Sequence, residues 1–162
     1  IVFGDWSSDV CSSDLKREPV TAESVRWDFE SVALPEAEHL AKLERRLKEN
    51  QDTAMNSSIA MKLAWSERSR SGMKVDVSCL SIGNAKILHL PGELFVEYQL
   101  AAKSQRRDLF VAMAAYGDNG MGYIGTASAY GEGGYETGDP SLVGPGSEKV
   151  LMDAINRLLS IR

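Results

Sequence analysis

The stretch KILHLPGELF, residues 86–95, places an acid where an apolar run ends. Lys86 to Leu90 read as a buried strand, Pro91-Gly92 interrupts it, and Glu93 follows at what reads as the opening of a helix. Two chemistries suit a carboxylate there. As a cap, it would be stabilised by the helix dipole and the free backbone amides, by about 0.3 to 1 kcal/mol. As a functional group, it would be held rigidly at the edge of a sheet, where ligands collect, and would stay ionised as a metal ligand must.

A second group of reactive side chains follows in NGMGYIGTASAYGEGGYE, which contains Tyr123, Tyr130, Tyr135 and Glu136. Within it Gly120, Gly122 and Gly125 satisfy G-x-G-x-x-G after a predicted strand. A dinucleotide site also needs a helix to begin there, so that its amides meet the pyrophosphate. TASAYGEGGYETG breaks at Gly131, Gly133 and Gly134 and has no apolar period, so no such helix and no nucleotide site are expected. His39 and His89 belong to no H-E-x-x-H or Cys/His cluster and read as structural, and no Ser-His-Asp triad has a candidate.

The elements that must position these groups are legible as periodicities. SVRWDFESVAL, from Ser24 to Leu34, alternates like a half-buried strand and stops at Pro35. Pro35 is suited to the first position of a helix carrying Leu40, Leu43 and Leu47. A second helix is expected from about Thr53 to Arg68, with Met55, Ile59, Leu63 and Trp65 turned to the core and an end near Gly72. VDVSCLSIG and AKILHL read as neighbouring strands joined at Gly83-Asn84. LFVEYQLAAKSQ suits a helix with Leu94, Tyr98 and Ala101 or Ala102 inward, and LFVAMAAY another strand. Ten of the 14 glycines then fall between Gly117 and Gly146, a long loop region whose tyrosines argue for function. A last helix is expected with Ser147 as N-cap, Glu148 in its first turn and a stripe of Leu151, Ala154, Ile155, Leu158 and Leu159. The predicted class is α/β, with mixed sheet layers flanked by helices.

Three spaced motifs add a family expectation. A strand leading into P-G-E, then Tyr123-Ile124-Gly125-Thr126, then Tyr135-Glu136 with Tyr130 between them, resemble the C-terminal part of the catalytic domain of the neutral/alkaline ceramidase family. That family comprises zinc amidohydrolases that split the N-acyl amide of sphingolipids, and the resemblance covers most of residues 75–136. It implies that Glu93 and Tyr123 are zinc ligands. It further implies that the remaining ligands are histidines of an N-terminal half that this chain does not contain. The substrate would be a small-molecule or lipid amide. Tyr130, Tyr135 and Glu136 would shape the substrate pocket, and Glu97, one helical turn beyond Glu93, would support the ligand. Met121-Gly122 before the tyrosine and LFVEYQL after P-G-E depart from the family pattern. The resemblance therefore extends equally to a related amidohydrolase with another acyl-amide substrate. Two ligands cannot complete a catalytic zinc site, so the isolated chain is expected to be inactive. A different class stays open: a non-catalytic module binding a carbohydrate or protein partner, with Glu93 only a helix cap.

Composition sets outer bounds. The 162 residues are 43% hydrophobic and 25% charged, enough for one globular domain or a large piece of one. Residues 1–15, IVFGDWSSDVCSSDL, have no lysine, arginine or period, and GDWSSDVCSSDL resembles the in-frame translation of a sequencing-library adapter. They are read as non-native, and residues 16–162 as an incomplete fragment of a larger catalytic domain. Leaving them out removes Asp5, Asp9 and Asp14, so 20 acids face 18 bases and the net charge of −5 becomes −2. Near-neutrality without a basic patch gives no support for nucleic acid or an anionic membrane as partner. No run approaches the ~18 apolar residues of a membrane helix. The family resemblance is compatible with a secreted or periplasmic setting. Cys11 falls within the same segment, which leaves Cys79, in VDVSCLSIG, as a buried small hydrophobe.

Overall fold

The computed structural model describes residues 20–117 and 121–161. The adapter-like residues 1–15, and Gly120 of the glycine motif, lie outside the described residues.

Four strands make the main sheet: β1 (Val25–Val32), β2 (Val75–Ile82), β3 (Ala85–Pro91) and β5 (Phe110–Gly117). Their order is β1-β2-β3-β5, antiparallel for the first two pairs and parallel for the last. This is the mixed α/β arrangement expected. Gly83-Asn84 closes the β2–β3 hairpin, as the turn-forming pair requires. A parallel β3–β5 pair needs a crossover, and α3 (Val96–Gln105) supplies it. A second sheet of two short parallel strands, β4 (Glu93–Leu94) and β6 (Tyr123–Ile124), lies beyond the end of β3.

The core forms where α5 (Ser147–Ser160) packs on β1 and β2 and α3 packs on β5. Val77, Cys79, Leu88 and Val111 from the sheet meet Leu151, Ala154, Ile155 and Leu158, all buried, so the expected stripe of the last helix is observed. The opposite faces of the strands form cross-strand rows of their own. One row runs Trp27, Leu80, Ile87 and Ala112, and the next Phe29, Ser78, His89 and Ala114.

Two other helices, α1 (Leu43–Glu49) and α2 (Thr53–Arg70), pair with each other at one side. The second matches expectation, ending before Gly72, whose φ of 91° ends the run. Met55, however, is 47% exposed, because Ile59 and Trp65 take the buried positions. The first does not start at Pro35. Glu36 pairs instead with Val143 in an isolated bridge, Pro35 accepts from the Gly144 amide at 2.8 Å, and helical turns begin only at Glu38. Competition for backbone hydrogen bonds from the 142–144 segment overrides the local preference of Pro35.

Two further expectations are corrected. Ser147 is the first helical residue of α5 and Gly146 its N-cap, and the Ser147 hydroxyl is buried without a partner. The glycine-rich region is not bare loop. It holds a six-residue helix, α4 (Ala127–Glu132), N-capped by the Thr126 side chain through the Ala129 amide.

Candidate carboxylate–tyrosine site

Glu93 does not open a helix. It belongs to β4, the N-cap of α3 is Phe95, and Leu94 is a strand residue packed on the core. The helix-cap account of this carboxylate therefore fails on geometry: it stands three residues before the first helical turn, at Val96.

Why the chain turns there follows from its glycines. Gly92 has φ 63°, and a Cβ at that position would lie 2.8 Å from the Gly122 carbonyl. Gly122 has φ 68°, and its Cβ would lie 1.9 Å from the Pro140 carbonyl. Only glycine tolerates both the left-handed backbone and this closeness. The two segments are then stitched together: the Glu93 amide donates to Gly122 at 2.9 Å and the Phe95 amide to Ile124 at 3.1 Å. Glu93 and Tyr123 become direct neighbours across the parallel β4–β6 pair.

Their electrostatics are coupled. The Glu93 charge, with burial, Tyr135, Glu136 and a hydrogen bond to Glu93 adding to it, holds the Tyr123 phenol above its ordinary pKa. The free site thus keeps Tyr123 protonated, its hydroxyl donating to a carboxylate. A divalent cation would reverse that balance, since it favours the phenolate. Tyr135 completes one wall, its ring edge-on to Tyr123 at 6.0 Å between centroids.

Tyr116 joins the group, which the sequence reading missed. It is the penultimate residue of β5, has a left-handed φ of 64°, and its amide donates to the Gly92 carbonyl at 2.6 Å. Its hydroxyl hydrogen-bonds Glu93, which raises its pKa. A non-glycine residue in that conformation costs roughly 1–2 kcal/mol and persists where the surroundings over-determine it. The strand-end pair Tyr116-Gly117 was the available signal.

The other expected site residues separate into three fates. Glu136 is exposed but near enough for its charge to reach Tyr123. Tyr130 is not in this cluster: its hydroxyl bonds Ser141 at 2.9 Å, and its ring lines a cavity of about 430 Å³ beside His39 and Thr137. Glu97 is exposed on the first turn of α3 and joins none of the cluster's hydrogen bonds. Behind the site, the buried Tyr98 hydroxyl donates to the Gly125 carbonyl at 3.0 Å. Burial, then Glu148 and Tyr130, push that phenol's pKa far up, so it remains a donor.

The helix after the glycine motif offers nothing to a phosphate. The Ala127 amide already donates to Glu148 at 2.6 Å, so a carboxylate occupies the place an anion would take.

As a cation site the residues fit in part. Glu93 and Tyr123 present oxygen donors on adjacent backbone positions, and carboxylate oxygen is an accepted zinc ligand. Among the described residues no group of three or more His, Cys, Asp or Glu could hold a metal ion. His89 instead lies 5.8 Å from the Trp27 ring, and His39 sits beside Asp139.

No family model and no curated protein matches the chain. Among solved structures, one titled "Ceramidase complexed with C2" is similar at 21% identity and a TM-score of 0.43, over 49% of this chain and 13% of that one. The neutral ceramidase from Pseudomonas aeruginosa is similar at 20% identity and a TM-score of 0.45, over 51% and 14% respectively. The match therefore spans a small part of the length of either protein.

Proposed function

We propose that this chain supplies the carboxylate–tyrosine part of the zinc site of an amidohydrolase acting on an N-acyl amide, a ceramide-like lipid or a related acyl amide. The observation that supports it is the register: Glu93 and Tyr123, far apart in sequence, are adjacent in the β4–β6 pair with their side chains coupled. Glu93 and Tyr123 would hold the metal, and the remaining ligands, histidines, would come from outside this chain. When bound, zinc lowers the pKa of a coordinated water toward neutrality and polarises the scissile carbonyl. This chain's residues do the positioning. The Tyr116 phenol would lie against the Glu93 carboxylate, and the Tyr135 ring and the Glu136 charge would shape the approach to it.

Equilibrium dialysis of the chain against zinc, with metal content measured alongside circular dichroism, tests the reading. Glu93→Gln and Tyr123→Phe are each expected to keep the fold and weaken zinc uptake by about 10-fold or more. Unchanged uptake in both variants overturns it. The chain by itself is expected to show negligible amide hydrolysis, and clear zinc-dependent turnover would refute the claim that its site is partial.

A further inference from the structure

Behind the Glu93–Tyr123 pair runs a strap of chain, residues 138–144, packed between two other segments. On one side the Leu142 amide donates to the Met121 carbonyl at 3.1 Å, and the Pro140 carbonyl lies so close to Gly122 that a Cβ there would stand 1.9 Å from its oxygen. On the other side the Ala37 amide donates to Leu142 at 3.1 Å, the Gly144 amide donates to Pro35 at 2.8 Å, and Val143 bridges to Glu36. Ser141 and Val143 are fully buried. A strap packed this closely cannot shift without moving Gly122, which precedes Tyr123 and accepts from the Glu93 amide.

One side of α2 grips the strap near both ends. Lys62, Ser66 and Arg70 follow one another at intervals of four residues, so they share a face of the helix. Lys62 Nζ donates to the Asp139 carboxylate and, at 2.8 Å, to the Asp139 carbonyl. Ser66 and Arg70 both reach Glu36, the hydroxyl donating to one carboxylate oxygen and Arg70 Nε to the other at 3.0 Å. From α1, Arg46 brings a second cation to Asp139 at 2.9 Å. A lone ion pair in water contributes little, because solvent screens it and two long side chains lose freedom. These contacts form a network instead, with the Lys62 side chain only 16% exposed and Ser66 buried.

We infer that α2 sets the geometry of the Glu93–Tyr123 pair from behind, and that Asp139 is the positioning residue through which it acts. The Asp139 carboxylate bonds to Lys62 and Arg46 and, among the described residues, to neither proposed ligand. It fixes the backbone at Pro140, whose carbonyl abuts Gly122, and Gly122 carries both the bond from Glu93 and the chain into Tyr123. Releasing the Lys62–Asp139 contact frees the strap to recede. The β4–β6 pair, two residues long in each strand, then has few bonds of its own with which to resist. Small units of this kind open locally, without unfolding of the whole. The affinity of the site for a cation is thereby tuned from a helix that holds no ligand. That consequence rests on the zinc reading, whereas the effect on the pairing does not.

Amide hydrogen exchange of the full chain, followed by NMR without metal, tests it. Lys62→Met is expected to speed exchange of the Glu93 and Phe95 amides, which donate across the pair, about 10-fold or more, while the amides of the β1–β2 ladder keep their rates. Asp139→Ala should reproduce this from the strap side. Combining the two should add nothing further, because both remove the same contact. Arg157→Met breaks the ion pair to Glu30 at the far side of the sheet and should leave both amides unchanged. Unaltered exchange at Glu93 and Phe95 in both single variants overturns the inference. So does an equal rise over the β1–β2 ladder, which means general loosening, and so do additive effects in the double variant. Equilibrium dialysis against zinc, with Glu93→Gln as reference, separates the two readings. Zinc uptake that falls in Glu93→Gln but not in Lys62→Met overturns the tuning of affinity. Uptake unchanged in Glu93→Gln, with exchange still responding to Lys62→Met, overturns the zinc reading and supports the positioning by α2.

Discussion

At the residue scale, the Glu93–Tyr123 pairing depends on atoms that are absent. Gly92 and Gly122 let two backbones pass within a distance no Cβ survives, and only then do Glu93 and Tyr123 share a register. In the sequence, Glu93 stands out by its place after Pro-Gly, and Tyr123 by the family resemblance of its motif. Tyr116 does not, because its part depends on a left-handed turn at the end of β5 that local propensity disfavours. His39 gives a prediction on the same scale. Burial lowers its pKa first of all, Asp139 draws it up, and Lys62 and Arg46 push it down. The unfolded chain, with an ordinary value near 6.5, therefore binds this proton at higher pH than the folded one. Stability from the neutral imidazole is complete above about 6.5 and is lost as pH falls toward the lowered folded value. Urea midpoints measured across that interval should fall with acidification, and His39→Gln should flatten the slope. An unchanged slope would assign the effect to another group.

At the scale of elements, the strands and the long helices were readable and the short connections were not. The α2 helix is held at its start by Asp52, whose carboxylate accepts from the Ala54 and Met55 amides at 2.9 and 3.3 Å. Asp52→Ala is expected to cost about 1 kcal/mol in urea unfolding, and Asp52→Asn much less, because the amide oxygen still accepts. Equal losses in the two variants would show that charge, and not the cap bond, is the source. By contrast α4 was hidden. Its sequence has neither length nor apolar period, and it persists because Thr126 caps it and Glu148 of α5 takes its first amide. Pro35 misled in the other direction: a good helix-starting residue is held extended by a bridge to residues more than 100 positions away.

At the scale of the whole molecule, stability rests on the single covered face of the sheet. Leu158, fully buried where α5 meets the strands, is expected to lose about 2–5 kcal/mol on replacement by alanine, the transfer and cavity terms together. Met55→Ala, at a position that helical spacing alone would have put in the core, should stay within about 0.5 kcal/mol. Thermal unfolding of both variants separates the two accounts of α2, and a comparable loss at Met55 would restore the sequence-based one.

What the sequence by itself determined is what depends on near neighbours: the period of β1, β2, β3 and β5 and the stripe of α5. Hydrophobic period and turn chemistry act over a few residues, so they are written locally. Tertiary structure decided what depends on pairing across long separations. It turned Glu93 from a helix opening into a strand residue beside Tyr123, brought Tyr116 to its carboxylate, sent Tyr130 to a different cavity, and left Trp27 and Phe29 facing outward. Each of these is a competition for backbone hydrogen bonds or buried area between segments distant in the chain, and no local window contains both competitors.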